Sequence, residues 1–328
     1  MKSETVVDWD LARWQEFTGG AQKFENQILK SIGPAGEGNM NLTLRLQFES
    51  GTVIAKHAPP YCFKFPMIPA PVERLSMELE FFKLASAHAS LPGHFPRVHH
   101  FDPVRNIALI EDLGECQDYS SLYEGITPGQ EEDLVNLVDI LSDLHRLGPE
   151  GASLKNPKMR KLNHEYIFIL PYTDKTFDLT SLFGPLTSRV RKFLTDDSLK
   201  SASQRLGDLY LQDGPTLVHG DFYPRSWLKT QKGPVVIDPE FGFKGHAEFD
   251  VGVFTAHLKM AKMSDEKISS LLGRYEKPHG FKMPLAWAFA GCEIVRRLLH
   301  VAQLPLKLSP EEKLALLKLS QQMINPGV

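Results

Sequence analysis

Met40, Leu42, Leu44, Leu46 and Phe48 alternate with Asn41, Thr43, Arg45 and Gln47, the period of two expected of a strand with one buried face. Glu49, Ser50 and Gly51 supply a turn, and Val53, Ile54, Ala55 and Lys56 follow as the second arm of a hairpin. The period then changes. After Pro71, residues Leu75, Glu78, Leu79 and Phe82 share a helical face, which predicts a helix over 72–85 whose inward stripe carries one carboxylate. Short apolar runs at 97–101 and 107–110 complete a small sheet with one helix, ending at Glu111, Asp112, Leu113 and Gly114.

Past Gly114 the pattern turns helical. Leu134, Leu137, Val138, Leu141 and Leu144 form a wide apolar stripe, closed by Gly148 and Pro149. Further helices are predicted over 187–211, 250–263, 284–301 and 310–324. One hairpin interrupts them: 226–229 and 235–237 flank Thr230, Gln231, Lys232 and Gly233, a turn that would set Leu228 opposite Val236 and Ser226 opposite Asp238. With 328 residues and no internal repeat, the expectation is a bilobal α+β fold. Residues 1–112 would form a small antiparallel sheet with one helix, and 113–328 a larger, mainly helical lobe with one hairpin.

Charge narrows the partners. Lys plus Arg number 37 and Asp plus Glu 40, a net of −3, so no general positive field exists for nucleic acid or an anionic membrane, although a local anion site is compatible with it. Cys62, Cys116 and Cys292 stand alone, which argues against a disulfide framework or zinc site and for a reducing compartment. The first 14 residues carry Lys2, Glu4, Asp8, Asp10 and Arg13 and lack the apolar core of a signal peptide. The apolar run 284–292 stops at Glu293, short of the roughly 20 residues that cross a bilayer. A cytoplasmic location is expected.

The chemistry concentrates around the hairpin. Asp221 precedes it, Asp238 ends it and Glu240 follows two residues on, an acidic cluster that calls for a cation. Oxygen donors favour Mg²⁺ over Zn²⁺. Gly33, Gly36 and Gly38 lie between Ile32 and the strand beginning at Met40, where backbone N–H groups can approach a triphosphate. Lys56 ends a strand, and Glu78 is a partner able to hold it. Taken singly, these are a turn, an edge charge, and a helix carboxylate paired with Arg74 one turn earlier. Their joint order, glycine loop, strand Lys, helix Glu, connector and two Asp, is that of the protein-kinase-like fold.

Val218, His219, Gly220 and Asp221, then Ser226, then Ile237, Asp238, Pro239, Glu240 and Phe241 resemble the catalytic and metal motifs of the aminoglycoside and choline phosphotransferase superfamily. Within it the methylthioribose kinase family is the closer likeness. Its motifs resemble Gly36-Glu37-Gly38-Asn39-Met40-Asn41, Val53 to Lys56 with Ala58-Pro59-Pro60-Tyr61, Glu111-Asp112-Leu113, Phe249-Asp250 between Gly245 and Gly252, and Arg296-Arg297.

The resemblance spans most of the chain and implies an ATP-dependent, Mg²⁺-requiring kinase of a sugar hydroxyl, methylthioribose or a related compound, acting as a homodimer. It implies Asp221 as the catalytic residue and Asp238 and Glu240 on the metal. Gly36, Gly38, Asn39 and Lys56 would meet the nucleotide, with Glu78 or Glu80 pairing Lys56, the backbone of Glu111 to Leu113 facing adenine, and Arg296 and Arg297 at the acceptor. Two positions depart from the pattern: Ser226 stands where most kinase-like proteins have Asn, and Arg225 where the family usually has Gly. An aminoglycoside, choline or amino alcohol acceptor, or a nucleotide-binding module without turnover, are the alternatives. Asp250 reads as a structural carboxylate bracing the catalytic loop or capping the helix it begins, His145 as a packed or capping histidine, and Phe222 and Trp227 as core.

Overall fold

The computed structural model describes residues 6–36, 38–125, 127–147, 154–299, 302–304 and 306–325. The fold is mixed α+β, with an antiparallel sheet in the N-terminal part and a helical C-terminal part. Strands β1 (Leu29–Pro34), β2 (Leu42–Phe48), β3 (Gly51–His57), β6 (Val98–Asp102) and β7 (Ile107–Glu111) form the sheet in the order β1-β2-β3-β7-β6. The segment between β3 and the next helix adds a short hairpin, β4 (Tyr61–Cys62) and β5 (Phe65–Pro69). Leu46, Phe48, Val53 and Leu109 bury one face of the sheet together with Trp14 and Phe24.

Among the described residues this part holds two α-helices rather than the one expected. Helix α1 (Leu11–Gly19) carries Trp14 into that core and is capped by Asp10, whose side chain accepts from the Arg13 N–H at 2.9 Å. Helix α2 (Arg74–Ser86) starts two residues later than the pattern suggested and buries Leu75, Glu78, Phe81 and Phe82. Phe81 and Phe82 share one apolar cluster with Leu134, Leu137, Phe222, Trp227 and Phe254 of the C-terminal part. At about 2 kcal/mol for each fully buried side chain, α2 is the rivet between the two halves.

The C-terminal part begins with α3 (Pro128–His145), whose expected closing residues Gly148 and Pro149 lie outside the described residues. Helix α4 (Pro157–His164) runs through a π turn, Glu165–Ile169, into α5 (Leu170–Thr173), followed by α6 (Leu179–Phe183). The single helix expected over 187–211 is two, α7 (Thr187–Leu194) and α8 (Asp197–Tyr210). The break arises because Asp196 leaves the helix to cap α8, accepting from Ser198 and Leu199 N–H groups. Strands β8 (Thr216–Val218), β9 (Trp227–Thr230), β10 (Gly233–Val236) and β11 (Phe243–Gly245) follow, then α9 (Ala247–Met260), α10 (Asp265–Arg274), α11 (Met283–Leu298) and α12 (Pro310–Ile324). Helix α9 begins before the expected 250, and α11 ends at Leu298, short of 301.

The hairpin register is one residue off the expected pairing. Leu228 faces Val235, Trp227 faces Val236, and Ser226 pairs with Ile237. The cause is the turn: Thr230 and Gly233 pair directly around a two-residue tip, with Gly233 at φ 103. Asp238 therefore does not face Ser226. It leaves the ladder in the left-handed region at φ 59, an uncommon conformation for a residue with a side chain.

Candidate active site

Strand β3 delivers Lys56 into the interior, where its Nζ lies 2.6 Å from Glu78 Oε1 on α2 and 2.6 Å from Asp238 Oδ1. Burial works against the ammonium, but Asp238, Glu78 and Glu240 overcome it and raise its pKa above the ordinary value. Glu78 is thus the Lys56 partner, whereas Glu80 pairs with Lys83 on the surface. Arg74, read from the sequence as the rival partner of Glu78, is instead a buried hub. Its Nε donates to Asn41 Oδ1 at 2.9 Å, and its other nitrogens donate to the carbonyls of Met40, Pro59, Tyr61 and Pro71.

Asn41 continues this network by donating to Glu240 Oε2 at 2.8 Å. Burial, with Asp238 and Glu78 adding to it, pushes the Glu240 carboxyl up to about 8 against the pull of Lys56 and Arg74. Asn156, itself at φ 45, fixes the loop carrying Glu240 by donating to the carbonyls of Glu240 and Gly242. Sequence reasoning missed Arg74, Asn41 and Asn156. From the sequence Asn41 reads only as a polar strand position at the end of the glycine motif, and Arg74 only as a surface-helix partner of Glu78.

The loop before β9 is held just as firmly. Gly220 sits at φ 83, and a Cβ there would fall 2.3 Å from the Phe241 carbonyl oxygen, so only glycine fits. Asp250, in the first turn of α9, accepts from the backbone N–H of His219 at 2.6 Å and of Gly220 at 2.9 Å, and His145 Nε2 lies 3.2 Å from it. It is the brace the sequence suggested, and His145 is a packed residue behind it. The Ser226 hydroxyl donates to the Asp221 carbonyl at 2.9 Å, so this side chain staples the loop. Phe222 and Trp227 are fully buried, as expected.

Asp221 projects from this loop toward α11. Its Oδ1 accepts from Arg297 Nη2 at 2.7 Å and lies 3.3 Å from Arg296 Nη1. Both arginines are buried, at 6% and 5% exposure, rather than solvated as an arginine pair on a helix would be by default. Glu293, one turn earlier, receives Arg297 Nε at 2.5 Å and Arg296 Nη1 at 3.2 Å. Burial opposes its charge, yet the two guanidiniums and then His257 hold its carboxyl well below the usual range. Arg297 also stacks over the Tyr223 ring at 4.3 Å. Glu293 escaped sequence reasoning, although a lone acid three and four residues before an arginine pair in an apolar helix was the available signal.

The carboxylates expected to crowd round one cation are therefore divided. Asp238 and Glu240 face Lys56 and Arg74, while Asp221 faces Arg296 and Arg297, and the buried, neutral-leaning His219 lies within electrostatic reach of Asp221 and Asp238. Among the described residues no three His, Cys, Asp or Glu side chains form a ready-made metal site. Asp238 and Glu240 nonetheless fit a hard cation. They supply oxygen donors only, and the Asp238 side chain is 42% exposed, so a cation could reach it from the cleft side.

The glycine loop joins β1 to β2. Gly33 lies inside β1 paired with Arg45, while Gly36, at φ 91, Gly38 and Asn39 are exposed; Glu37 lies outside the described residues. The Asn39 carbonyl accepts from the Lys64 N–H, which ties the loop to the β4–β5 turn. At the connector, Glu111 pairs with Arg97, and the Leu113 carbonyl accepts from the Cys116 thiol. Asp112 takes a two-pronged contact from Arg45, at 2.6 and 3.1 Å. Arg225 lies 3.7 Å from Asp118 at the rim.

A small antiparallel sheet with a buried Lys–Glu pair, joined to a helical part with a braced His-Gly-Asp loop, defines a phosphotransferase of the protein-kinase-like fold. Solved structures share that fold. The spectinomycin phosphotransferase APH(9)-Ia, in complex with ADP and spectinomycin, matches with a TM-score of 0.54 at 12% identity, covering 96% of this chain and 98% of its own. A choline/ethanolamine kinase family protein from Mesorhizobium loti matches with a TM-score of 0.55 at 14% identity, covering 96% and 99%.

The phosphotransferase enzyme family (APH) matches residues 31–262, and the chain belongs to that family. Among curated relatives, the methylthioribose kinase of Exiguobacterium sibiricum is 27% identical over 81% of this chain and 79% of its own length. That of Bacillus cereus strain ATCC 10987 is 25% identical over 86% and 82%. The protein is a small-molecule kinase. No helix among the described residues is long and apolar enough to cross a membrane.

Proposed function

We propose that the protein transfers the γ-phosphate of ATP to a hydroxyl of methylthioribose or a closely related sugar. The observation that carries this reading is the Lys56 ammonium, held 2.6 Å from both Glu78 and Asp238 where a triphosphate would be received. In the proposed reaction Asp221 orients the acceptor hydroxyl and takes its proton as the new O–P bond forms, while the bond from the γ-phosphorus to the bridging oxygen breaks and ADP leaves. Mg²⁺, held by Asp238 and Glu240, would neutralise phosphate charge. Gly36, Gly38 and Asn39 are assigned to the phosphates, the backbone of Glu111 to Leu113 to adenine, and Arg296 and Arg297 to the acceptor side.

A sugar is favoured over choline or an amino alcohol because the methylthioribose kinases of Exiguobacterium sibiricum and Bacillus cereus match this chain along most of its length and of their own. The division into lobes at Asp112 and Leu113, a homodimer and a cytoplasmic setting belong to the same proposal, the last supported by three free cysteines. The test is turnover with Mg²⁺·ATP across methylthioribose, other sugars, choline and aminoglycosides, with Asp221→Asn alongside. Phosphorylation of the sugar, lost in Asp221→Asn while nucleotide still binds, is the expected result. Preferential phosphorylation of choline or an aminoglycoside would overturn the substrate assignment.

A further inference from the structure

Behind Asp221, linked to it through Arg297, stand Glu293, His257 and Tyr123, none of which the assignments above use. Arg297 Nη2 donates to Asp221 Oδ1 at 2.7 Å, and Arg297 Nε donates to Glu293 Oε1 at 2.5 Å. The same Glu293 oxygen lies 3.1 Å from His257 Nε2 on α9, and His257 Nδ1 lies 2.6 Å from the Tyr123 hydroxyl. A carboxylate only accepts, so Nε2 carries the imidazole proton and donates to Glu293, while Nδ1 accepts from Tyr123. Glu293 is 1% exposed and His257 fully buried, so each donor and acceptor is bound to its partner with little competition from water.

Charge within the group is balanced. Arg296 and Arg297 contribute two positive charges, and Asp221 and Glu293 two negative. Each guanidinium touches both carboxylates: Arg296 Nη1 lies 3.3 Å from Asp221 and 3.2 Å from Glu293, and Arg297 bonds to both. Among the described residues, the arginine contacts on Asp221 all fall on Oδ1. An arginine fork, left to itself, takes both oxygens of a carboxylate. The second carboxylate draws off the other donors and prevents this.

We propose that Glu293, oriented by His257 and Tyr123, is a positioning residue that shares the two guanidiniums between two carboxylates and so keeps Asp221 Oδ2 open for the acceptor hydroxyl. The inference rests on the reading of Asp221 as the residue that receives the acceptor's proton. It assigns to Glu293 no contact with substrate, only control of where the arginines point.

The test compares Glu293→Gln, Glu293→Asp, Tyr123→Phe and Asp221→Asn, with methylthioribose as acceptor and ADP affinity measured separately. Glu293→Gln is expected to lower kcat about 100-fold, the scale of an ångström misplacement at a reacting group, with ADP affinity unchanged. Glu293→Asp should restore part of the loss, and Tyr123→Phe should lower kcat in the native background but not in Glu293→Gln. A crystal structure of Glu293→Gln supplies a readout independent of turnover, with arginine contacts expected on both oxygens of Asp221. An inactive Asp221→Asn beside a Glu293→Gln with native kcat, or a Glu293→Gln structure with both arginines unmoved, overturns this inference and leaves the proposed function standing. An Asp221→Asn that turns over normally overturns both.

Discussion

Lys56 and Asp238, 182 positions apart in the chain, meet at 2.6 Å, with the strand bearing one and the loop bearing the other drawn from opposite halves of the fold. Glu78 lies at the same distance from the ammonium and is wholly buried. Lys56→Met strands that carboxylate without a counter-charge, a change that costs about 3–5 kcal/mol in buried pairs. Urea unfolding should show the loss, and titration with ATP should show no binding. Adding Glu78→Leu should restore stability and not nucleotide binding.

Arg74 satisfies four backbone carbonyls and Asn41 at once. Arg74→Met leaves several of these acceptors dry. At about 1–3 kcal/mol for a buried unsatisfied group, the expected destabilisation is at least about 3 kcal/mol. Denaturant midpoints would reveal it. A variant as stable as the native chain would show that water replaces the guanidinium.

Asp250→Asn keeps the size of the brace but replaces one accepting oxygen with an amide that cannot accept from the backbone N–H of His219 or Gly220. The Asp221 loop should loosen, with kcat down more than about 10-fold and stability lower by roughly 1–3 kcal/mol. Steady-state kinetics that stay native would remove the loop geometry from the mechanism.

Asp238→Asn tests the metal reading. The Mg²⁺ concentration needed for half-maximal turnover should rise at least about 10-fold, consistent with loss of a carboxylate ligand, and chelation by EDTA should abolish turnover of the native enzyme. Turnover indifferent to EDTA would exclude the divalent cation.

His257 gives a pH dependence with a definite sign. Burial, the largest influence, lowers its pKa below the ordinary 6.5 despite Glu293. Below that value the unfolded chain binds protons that the folded protein resists. The contribution is thus complete above about pH 6.5 and is lost as pH falls toward the lower folded value. The difference in unfolding free energy between the native chain and His257→Gln should shrink by up to about 1.4 kcal/mol per pH unit below 6.5. A difference that grows toward acid would reverse the assignment of a neutral imidazole.

Much of this site was legible before folding was considered. The helical spacing that turned Glu78 inward demanded a cation, and β3 supplied Lys56. The position of Asp250 just after the metal loop suited a brace, and its oxygens meet the backbone of His219 and Gly220. Arg74, Asn41 and His257 were not legible. Arg74 occupied what read as an ordinary helix surface, Asn41 a polar strand position, and His257 stood alone without metal-ligand spacing. The hairpin register failed for a smaller reason, since one residue more or less in a turn shifts every pair and periodicity does not count turn residues.

The sequence by itself determined the β2–β3 hairpin and the long helices α2, α3, α9, α11 and α12 to within a few residues, because hydrophobic period and turn residues act over a few positions of the chain, while α1, α4 to α6 and the break between α7 and α8 were not legible in it. Only the tertiary structure decided which distant polar groups meet beyond the Lys56–Glu78 pair: Asn41 with Glu240 across 199 positions, and Asp221 with Arg297 across 76. The physical reason is that removing a charge from water demands a partner, and the partner need only be near in space.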